Sequence, residues 1–456
     1  MEDYPETTEN QTTPTTSRKH HHPHNPHCED HLGEFHSQFC EQDFQRQLDA
    51  VGPRVTGPGG VILPTNDEIN KLLDYGSDSI SAMCFTWNIA GKASRSLSRL
   101  NHLFAKMPPL ERPSLIALAL QELPASTLRF HSSVLSSLGK SLSSTHRVFC
   151  WVRKWSQMLV LFIKHPLSLF TSQPEYRFVS GINLASPFRT KGAISIRFRL
   201  FQCQCIFVAC HLARKLVLFG YVPKSANSRK IPNPHFLRIC PQNFVRKFFA
   251  DKICKKIFSA DFRNTADLQL KNNFIKNLDG KLERRILDYR RIAAQFDFNS
   301  LQKQSGKNLV HLFWFGDLNF RVLRKEELSD VAENMQKRLF RRQEDFQRIL
   351  AHDELSLERA NGLFKGFREA IIKFPPTHKF RIDSNFYMSS RMPSYTAWLR
   401  TVVLFWTNPE PDGLTAIRYD CVWEVHCSDH KPVYCIFKMK VMKNSFKETI
   451  KINGSV

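Results

Sequence analysis

Short, nearly continuous apolar runs recur along the chain and constrain its fold more than any other feature. Seven of them are bounded by polar or turn residues: Ile80–Trp87, Leu115–Leu120, Met158–Ile163, Ala193–Leu200, Cys205–Cys210, Leu309–Phe315 and Pro432–Met439. Such runs are typical of strands buried on both faces. Amphipathic helical patterns lie at Ser96–Phe104, Lys281–Gln295 and Leu328–Asp353. The sequence therefore predicts a layered α/β or α+β sandwich.

Composition agrees with a globular protein that has a substantial core. Hydrophobic residues make up 42% of the 456 residues and aromatic residues 12%, which excludes collagen, coiled coil and a chain disordered throughout. The longest apolar stretch is broken by Lys164, His165 and Pro166, so no membrane span is predicted. The first residues contain no apolar region of a signal peptide, and we expect a cytoplasmic protein. The 12 cysteines form no CxxC pairs and are predicted to be buried thiols rather than a disulfide or zinc framework.

The length suits one large domain with appendages. Residues 1–50 are expected to form a disordered His-rich tail, in which a solvated tract is favoured over a metal site. A connector follows over 51–78, with a helical pattern at Asp67–Tyr75. The main domain spans 79–440, and residues 441–456 form a C-terminal tail.

The charge of the chain indicates an anionic partner. The formal net charge is +23, which suits nucleic acid, an anionic membrane surface or a polyphosphorylated small molecule. About half of the excess lies in one segment, because residues 213–278 hold 14 Lys and Arg against 3 Asp and Glu. The charge by itself does not choose among the three partners.

Polar clusters directly beside the apolar runs are the main functional signal, because rigid strands present catalytic groups at their ends. These clusters are Thr86-Trp87-Asn88, Gln121-Glu122, Ala209-Cys210-His211-Leu212, Phe313 to Arg321, and Ser428 to Val433. Each alone is compatible with a turn or a surface carboxylate. Together they contain the groups that metal-assisted hydrolysis of a phosphate ester requires.

The chemistry assigns a role to each residue type. A hard cation such as Mg²⁺ takes one or two carboxylates, which Glu122 and Asp429 can supply. A base must deprotonate and aim a water molecule, and Asp317 beside Asn319 is suited to that. Charge on the phosphoryl oxygens needs hydrogen-bond donors, which His211 and His430 offer.

The same motifs carry a resemblance to a known family. Thr86-Trp87-Asn88, Gln121-Glu122, Trp314 to Arg321, Arg391 to Thr396 and Ser428 to Val433 resemble the successive signature motifs of the inositol polyphosphate 5-phosphatases. That family belongs to the endonuclease/exonuclease/phosphatase superfamily. The segments around Lys191-Gly192 and Asp279-Gly280-Lys281 are most similar to its type IV branch. The resemblance covers roughly residues 79 to 440.

The resemblance implies a fold, an activity and a site. The fold is a DNase I-like four-layer α/β sandwich, with two packed mixed sheets flanked by helices. The activity is Mg²⁺-dependent hydrolysis of the 5-phosphate of phosphoinositides such as phosphatidylinositol 4,5-bisphosphate and 3,4,5-trisphosphate. By motif position, the metal ligands are Glu122, Asn88 and Asp429, the catalytic groups are Asp317, Asn319, His430 and His211, and the substrate-binding residues are Lys191, Lys379 and Arg391. Lys379 falls in the loop that reads the 4-phosphate.

The sequence departs from the family pattern after Thr396. The family has Asp-Arg there, and that Asp orients the catalytic imidazole, whereas this chain continues Ala397-Trp398 and has no carboxylate between Asp383 and Glu410. An imidazole without this partner still binds phosphate, but hydrolysis would be slower by orders of magnitude. In addition, Ser389 replaces a lysine of the 4-phosphate grip, and the C-terminal residues contain no prenylation cysteine.

The basic segment 213–278 separates two motifs that are only a few residues apart in the family. It is either a membrane-binding insertion or translated intron sequence, and the altered residues after Thr396 slightly favour the second interpretation.

Three functions follow in order of preference. The first is a phosphoinositide 5-phosphatase with phosphoinositide lipids as partners and peripheral contact with anionic membranes, at the Golgi or the cilium by resemblance. The second is a catalytically inactive phosphoinositide-binding protein, and the third a nuclease of the same superfamily. No nucleic-acid partner is expected under the first, and the sequence leaves the oligomeric state open.

Overall fold

A computed structural model describes residues 34–36, 54–57, 59–73, 77–124, 130–181, 191–212, 281–303, 309–321, 343–388, 401–408 and 413–441. The basic segment 213–278, Arg391 and the residues that follow Thr396 up to 400 lie outside the described residues. Among the described helices, none combines the length and apolar character required to cross a lipid bilayer.

Thirteen strands are described: β1 (Glu34–His36), β2 (Ser79–Asn88), β3 (Leu115–Gln121), β4 (His146–Lys154), β5 (Gln157–Lys164), β6 (Glu175–Ser180), β7 (Gly192–Leu200), β8 (Cys203–His211), β9 (Leu309–Asp317), β10 (Arg368–Glu369), β11 (Thr401–Asn408), β12 (Leu414–Cys421) and β13 (Val433–Lys440). Seven helices are described: α1 (Asn66–Leu72), α2 (Ala93–Lys106), α3 (Phe130–Leu142), α4 (Lys281–Gln295), α5 (Phe298–Lys303), α6 (Gln343–Ala351) and α7 (Glu354–Ala360). Short 3₁₀ helices cover Pro109–Glu111 and His165–Phe170.

The strands form two mixed sheets of similar design. The first has the order β1-β4-β5-β3-β2-β13-β12, and the second has the order β10-β11-β9-β8-β7-β6. Each contains one parallel pair, β2 with β3 and β8 with β9, and every other neighbouring pair is antiparallel. Parallel strands present the same end at the same edge of a sheet, which later places the functional residues.

Three apolar layers hold the sandwich together. Between the sheets, the rings of Phe313 in β9 and Phe437 in β13 lie 5.1 Å apart. Outside the first sheet, α2 buries Ser96, Leu100 and Phe104 at four-residue spacing, which is the inward face of an amphipathic helix. Outside the second sheet, α4, α5, α6 and α7 cover a cluster that includes Trp314. The predicted four-layer sandwich of two mixed sheets between helices is confirmed.

The seven predicted apolar strands are all present: six are longer than predicted by one to three residues, and the seventh is shifted by one residue to Val433–Lys440. The sequence analysis missed β4, which begins with His146 and Arg147, and β6, whose first four residues are exposed or half-buried, as well as β12 and helix α3. Eight cysteines of the described residues are buried thiols, including the four in apolar runs that are Cys84, Cys203, Cys205 and Cys435.

Two predicted boundaries need correction. Leu328–Asp353 was predicted as one helix, but its described part ends at Ala351 and a new helix begins at Glu354. Asp353 causes the break, because its carboxylate accepts a hydrogen bond of 2.6 Å from the N–H of Ser356 and caps the new helix. Residues 1–50 were predicted to be disordered throughout, but 34–36 form an edge strand paired with β4.

Candidate active site

The site begins where the two parallel pairs end. In the first sheet Asn88, the last residue of β2, pairs with Gln121, the last residue of β3. In the second sheet His211, the last residue of β8, pairs with Asp317, the last residue of β9. Asp317 was expected on a loop, and this is corrected here: it is a strand residue with 1% exposure.

A close backbone approach fixes the register of β8 and β9. Gly316 has a φ of 134°, and a Cβ atom added there would lie 2.0 Å from the carbonyl oxygen of Cys210. Only glycine fits at such a distance. The next residues, His211 and Asp317, are therefore held side by side.

One hydrogen bond joins the ends of the two sheets. The Asn88 side-chain nitrogen donates to Asp317 Oδ2 at 2.9 Å, and Asn88 also hydrogen-bonds Glu122. The Asn88 side-chain oxygen accepts from the N–H of Ala90 at 3.0 Å. Asn88 is fully buried, so its amide orders both carboxylates.

Glu122, Asp317 and His211 form what we call the carboxylate cluster. One ligand atom from each lies within 4.8 Å of the other two. Glu122 follows β3 with a φ of 56°, a left-handed conformation that disfavours most side chains and is common at functional sites. Lys191 Nζ lies 3.6 Å from Glu122 Oε1. Its positive charge offsets one of the two negative charges of Glu122 and Asp317.

The surrounding side chains decide the charge of Glu122. Burial alone would raise its pKa, but interactions with His211, with the positive charge of Lys191 and with the amide of Asn88 outweigh burial, and the pKa lies below its ordinary value. Its side chain is 42% exposed. Glu122 is therefore an ionised carboxylate that solvent and a cation can reach.

His211 is enclosed by the other groups of the cluster. Its Nε2 lies 3.3 Å from Asp317 Oδ2, and Lys191 Nζ lies 3.1 Å from its Nδ1 and also contacts Nε2. Burial and the positive charge of Lys191 lower the pKa of His211, although the two carboxylates oppose them. The ring is neutral at neutral pH, so it carries one N–H donor, which faces Asp317, and no full charge.

Asn319 supports Asp317 from the following turn. Its backbone N–H donates to Asp317 Oδ1 at 3.2 Å, and its side-chain nitrogen donates to the carbonyl of Leu212 at 2.9 Å. Its side-chain oxygen is buried and has no hydrogen-bond partner among the described residues. An unused acceptor beside a candidate base is suited to a water molecule.

A second group lies on the loops next to this edge. His378, Asp429 and His430, which we call the histidine cluster, also place one ligand atom each within 4.8 Å of one another. The two rings are 4.0 Å apart between centroids, and Lys379 Nζ lies 3.8 Å from Asp429 Oδ2. Asp429, a predicted metal ligand together with Glu122 and Asn88, makes its ion-pair contacts with His378, Lys379 and His430.

Consecutive residues of β2 join the two clusters. Trp87 Nε1 donates to the carbonyl of His430 at 3.0 Å, and Ser428 Oγ donates to the carbonyl of Asn88 at 2.8 Å. The Asn88 side chain then reaches Asp317. Hydrogen bonds through β2 therefore link the two clusters.

Lys431 stabilises the loop of the histidine cluster through hydrogen bonds of its side chain. Its buried ammonium donates to Asn385 Oδ1 at 2.6 Å and to the carbonyls of Val425 and Trp423 at 2.7 and 3.1 Å. Burial lowers its pKa to about 8. The sequence analysis gave Lys431 no role, because a lysine in a polar motif does not reveal that it is buried.

The carboxylate cluster suits a hard divalent cation. Glu122 and Asp317 supply two carboxylates, and Glu122 is accessible, which matches the preference of Mg²⁺ for a few carboxylates, several waters and phosphate oxygens. Asn88 presents its nitrogen to these carboxylates, so in this structure it orients ligands rather than offering its oxygen. Arg391 lies outside the described residues, and the other predicted site residues all lie in or beside the two clusters.

Comparison with known proteins follows this geometry. The family model described as Endonuclease/Exonuclease/phosphatase family 2 matches residues 245–436. The match covers less than half of the chain.

The resemblance to inositol polyphosphate 5-phosphatases is confirmed by curated relatives of this chain. A phosphatidylinositol polyphosphate 5-phosphatase type IV of Rattus norvegicus is 32% identical over 197 residues, which are 40% of this chain and 29% of the relative. The type IV inositol polyphosphate 5-phosphatase 11 of Arabidopsis thaliana is 25% identical over 374 residues, 81% of this chain and 86% of the relative. The alignment thus spans about three-tenths of the length of the animal type IV relative.

Solved structures confirm the fold alone. A Cimex nitrophorin, crystallised as its ferrous NO complex, has a TM-score of 0.51 and 17% identity, with 80% of this chain and 99% of that chain covered. A shared fold does not fix chemistry. Function has to be argued from the clusters.

Proposed function

We propose that this chain is a divalent-metal-dependent phosphatase that removes the 5-phosphate of phosphoinositides. The observation that carries the proposal is the hydrogen bond from Asn88 to Asp317, which brings strand ends of both sheets together at a buried carboxylate. The names of the curated relatives support the substrate class. Phosphatidylinositol 4,5-bisphosphate and 3,4,5-trisphosphate are the proposed substrates.

Asp317 acts as the base that orients and deprotonates the attacking water. Asn88 and the N–H of Asn319 hold its two oxygens, so its carboxylate is pre-oriented before substrate arrives. The unused side-chain oxygen of Asn319 accepts the second hydrogen of that water.

Glu122, assisted by Asp317, holds the divalent cation, for which we propose Mg²⁺. When bound, the cation neutralises charge that develops on the phosphoryl oxygens. Lys191, whose Nζ is next to Glu122, and His430 bind oxygens of the same phosphate. The neutral His211 donates its single N–H to Asp317 Oδ2 across 3.3 Å and so keeps this carboxylate in place.

Lys379 provides the second phosphate contact of the substrate. Its side chain is 23% exposed beside Asp429, so it can turn toward a 4-phosphate without leaving the site. The net charge of +23 favours approach to an anionic membrane surface. We therefore propose a peripheral enzyme that acts on lipid headgroups.

The test is a regiospecific assay of the full chain. Water-soluble dioctanoyl phosphatidylinositol 4,5-bisphosphate is incubated with Mg²⁺ or with EDTA, and the product is identified as the 4-phosphate. The proposal expects Mg²⁺-dependent formation of that product, and none with Asp317→Asn. Nicking of plasmid DNA without release of phosphate would instead establish the nuclease alternative.

A catalytically inactive lipid-binding protein is the second candidate. The residues between Asp383 and Glu410 contain no carboxylate that could orient His430, and the nearest described carboxylate atom is Asp429 Oδ1 at 3.9 Å. Such a protein would co-sediment with vesicles containing phosphatidylinositol 4,5-bisphosphate and release no phosphate. Turnover in the assay above excludes it.

A further inference from the structure

The histidine cluster has a donor set unlike that of the carboxylate cluster. It offers two imidazole nitrogens and one carboxylate, whereas the carboxylate cluster offers two carboxylates and one enclosed imidazole. Imidazole is a preferred ligand of zinc and other transition metals, and carboxylates and water are preferred by magnesium. We propose that His378, Asp429 and His430 form a site for a transition-metal ion such as Zn²⁺, separate from the hard-cation site.

The distances are close to those of a zinc site. Zinc binds imidazole nitrogen and carboxylate oxygen at about 2.0–2.1 Å, so neighbouring ligand atoms in a tetrahedral site lie about 3.4 Å apart. His378 Nε2 is 3.6 Å from Asp429 Oδ2, and His430 Nε2 is 3.9 Å from Asp429 Oδ1. Small side-chain rotations close this difference, and water completes the coordination.

The backbone holds the two histidines side by side. His378 and His430 form an isolated antiparallel bridge. The N–H of Lys431 donates to the carbonyl of Thr377 at 2.8 Å, and the N–H of Phe380 donates to the carbonyl of Asp429 at 3.1 Å. The site is therefore largely formed before any ion binds, which lowers the conformational cost of binding.

The two histidines of the site are buried, and the site opens to solvent only at Asp429. The side chains of His378 and His430 are 1% and 3% exposed, whereas that of Asp429 is 21% exposed. An ion approaches past the carboxylate and meets the two ring nitrogens behind it. Metal ions that bind exposed histidines nonspecifically do not reach these buried rings in the same way.

Lys379 opposes the ion and supplies a sharp test. Its ammonium lies 3.8 Å from Asp429 Oδ2, where it neutralises the carboxylate that the ion needs. Zinc binding must displace this ammonium, so removal of the charge in Lys379→Met should tighten binding by about tenfold. A protein without the proposed site would show no such gain.

Zinc at this site would occupy His430, the imidazole that our proposed function assigns to the phosphate. Zinc and substrate then compete for one ring, and micromolar zinc inhibits an enzyme saturated with Mg²⁺. The binding site itself is independent of hydrolysis, so binding measurements test it even if the chain releases no phosphate.

The experiment is a Zn²⁺ titration of the full chain against a chromophoric chelator. Wild type is compared with His378→Gln and with the matched control His102→Gln, whose histidine is exposed on α2. The His-rich tail is common to all three proteins, so its zinc cancels in the comparison. We expect His378→Gln alone to lose one equivalent, or to weaken it by at least about tenfold.

Equal stoichiometry and affinity in the three proteins would overturn the proposal. Thermal unfolding without metal shows whether His378→Gln is folded. If it is not, Lys379→Met decides, because unchanged zinc affinity in that variant contradicts the site and a tighter affinity supports it. Visible absorption of bound Co²⁺ in the wild type, lost in His378→Gln, reports the same ligands independently.

Discussion

The carboxylate and histidine clusters share one edge of the sandwich but are positioned by different means. Glu122, His211 and Asp317 follow or end strands of two parallel pairs, so regular sheet register places them. His378, Asp429 and His430 lie on loops that one isolated bridge and the buried Lys431 hold together. Strand register therefore positions the side chains of the carboxylate cluster, whereas local contacts between loops position those of the histidine cluster.

The largest effect is expected at the base of the carboxylate cluster. Asp317→Asn keeps the shape of the side chain but removes the proton acceptor, so kcat/KM should fall by at least about 10³-fold, or about 4 kcal/mol. Phosphate release from the 4,5-bisphosphate measures it, and circular dichroism checks the fold. Activity within tenfold of wild type would remove Asp317 from the mechanism.

A substitution of Gly316 tests whether the β8–β9 register positions the carboxylate cluster. Gly316→Ala would place a methyl group 2.0 Å from the Cys210 carbonyl at a positive φ, and should lower the free energy of unfolding by about 3–4 kcal/mol. Gly362→Ala is the matched control, because its φ is 94° but no atom lies within 4 Å of the added Cβ. It should cost about 1 kcal/mol. Equal losses in urea unfolding would contradict the close-approach argument.

A buried histidine links β9, β11 and β13 at the strand ends away from the clusters and predicts acid sensitivity. His311 in β9 hydrogen-bonds Thr407 Oγ1 at 2.7 Å and the carbonyl of Lys440 at 2.6 Å. Burial lowers its pKa to about 4, against about 6.5 in the unfolded chain. The unfolded state therefore takes up the proton first, and stability is lost as pH falls from about 6.5 to 4, by about 3 kcal/mol.

Urea unfolding at several pH values measures this loss. The variant His311→Gln lacks the titrating group and should show a correspondingly weaker dependence between pH 6.5 and 4, by about 3 kcal/mol. Identical pH profiles for wild type and variant would show that the His311 ring does not contribute.

The smallest expected effects are those of substituting Lys191 and Lys379, and they fall on different kinetic constants. Lys191→Met removes the cation beside Glu122 and should lower kcat, whereas Lys379→Met should raise KM for the 4,5-bisphosphate by about tenfold, or about 1.4 kcal/mol. Steady-state kinetics distinguishes the two patterns. Loss of kcat alone in Lys379→Met would contradict its role as a binding residue.

The sequence predicted what depends on strand periodicity. The apolar runs placed Asn88, Glu122 and His211 at strand ends, and the structure finds them there, whereas Asp317, which was expected on a loop, is the last residue of β9. Exposed residues in β12 concealed a strand, because edge strands bury only part of their side chains.

The contacts between loops could not be predicted. The sequence analysis gave His378 no role, and nothing in its spacing shows that its ring centroid lies 4.0 Å from that of His430. The same holds for Asp429, since assignment by motif order cannot decide which of two adjacent clusters a carboxylate joins. Such positions depend on tertiary packing rather than on a local pattern.

Binding of Mn²⁺, followed by electron paramagnetic resonance, tests most directly the claim that the carboxylate cluster is the hard-cation site. The wild-type chain is titrated beside Glu122→Gln and His378→Gln. The account predicts one Mn²⁺ whose Kd weakens by more than about tenfold in Glu122→Gln and is unchanged in His378→Gln. Mn²⁺ binding that is insensitive to Glu122 would contradict the account.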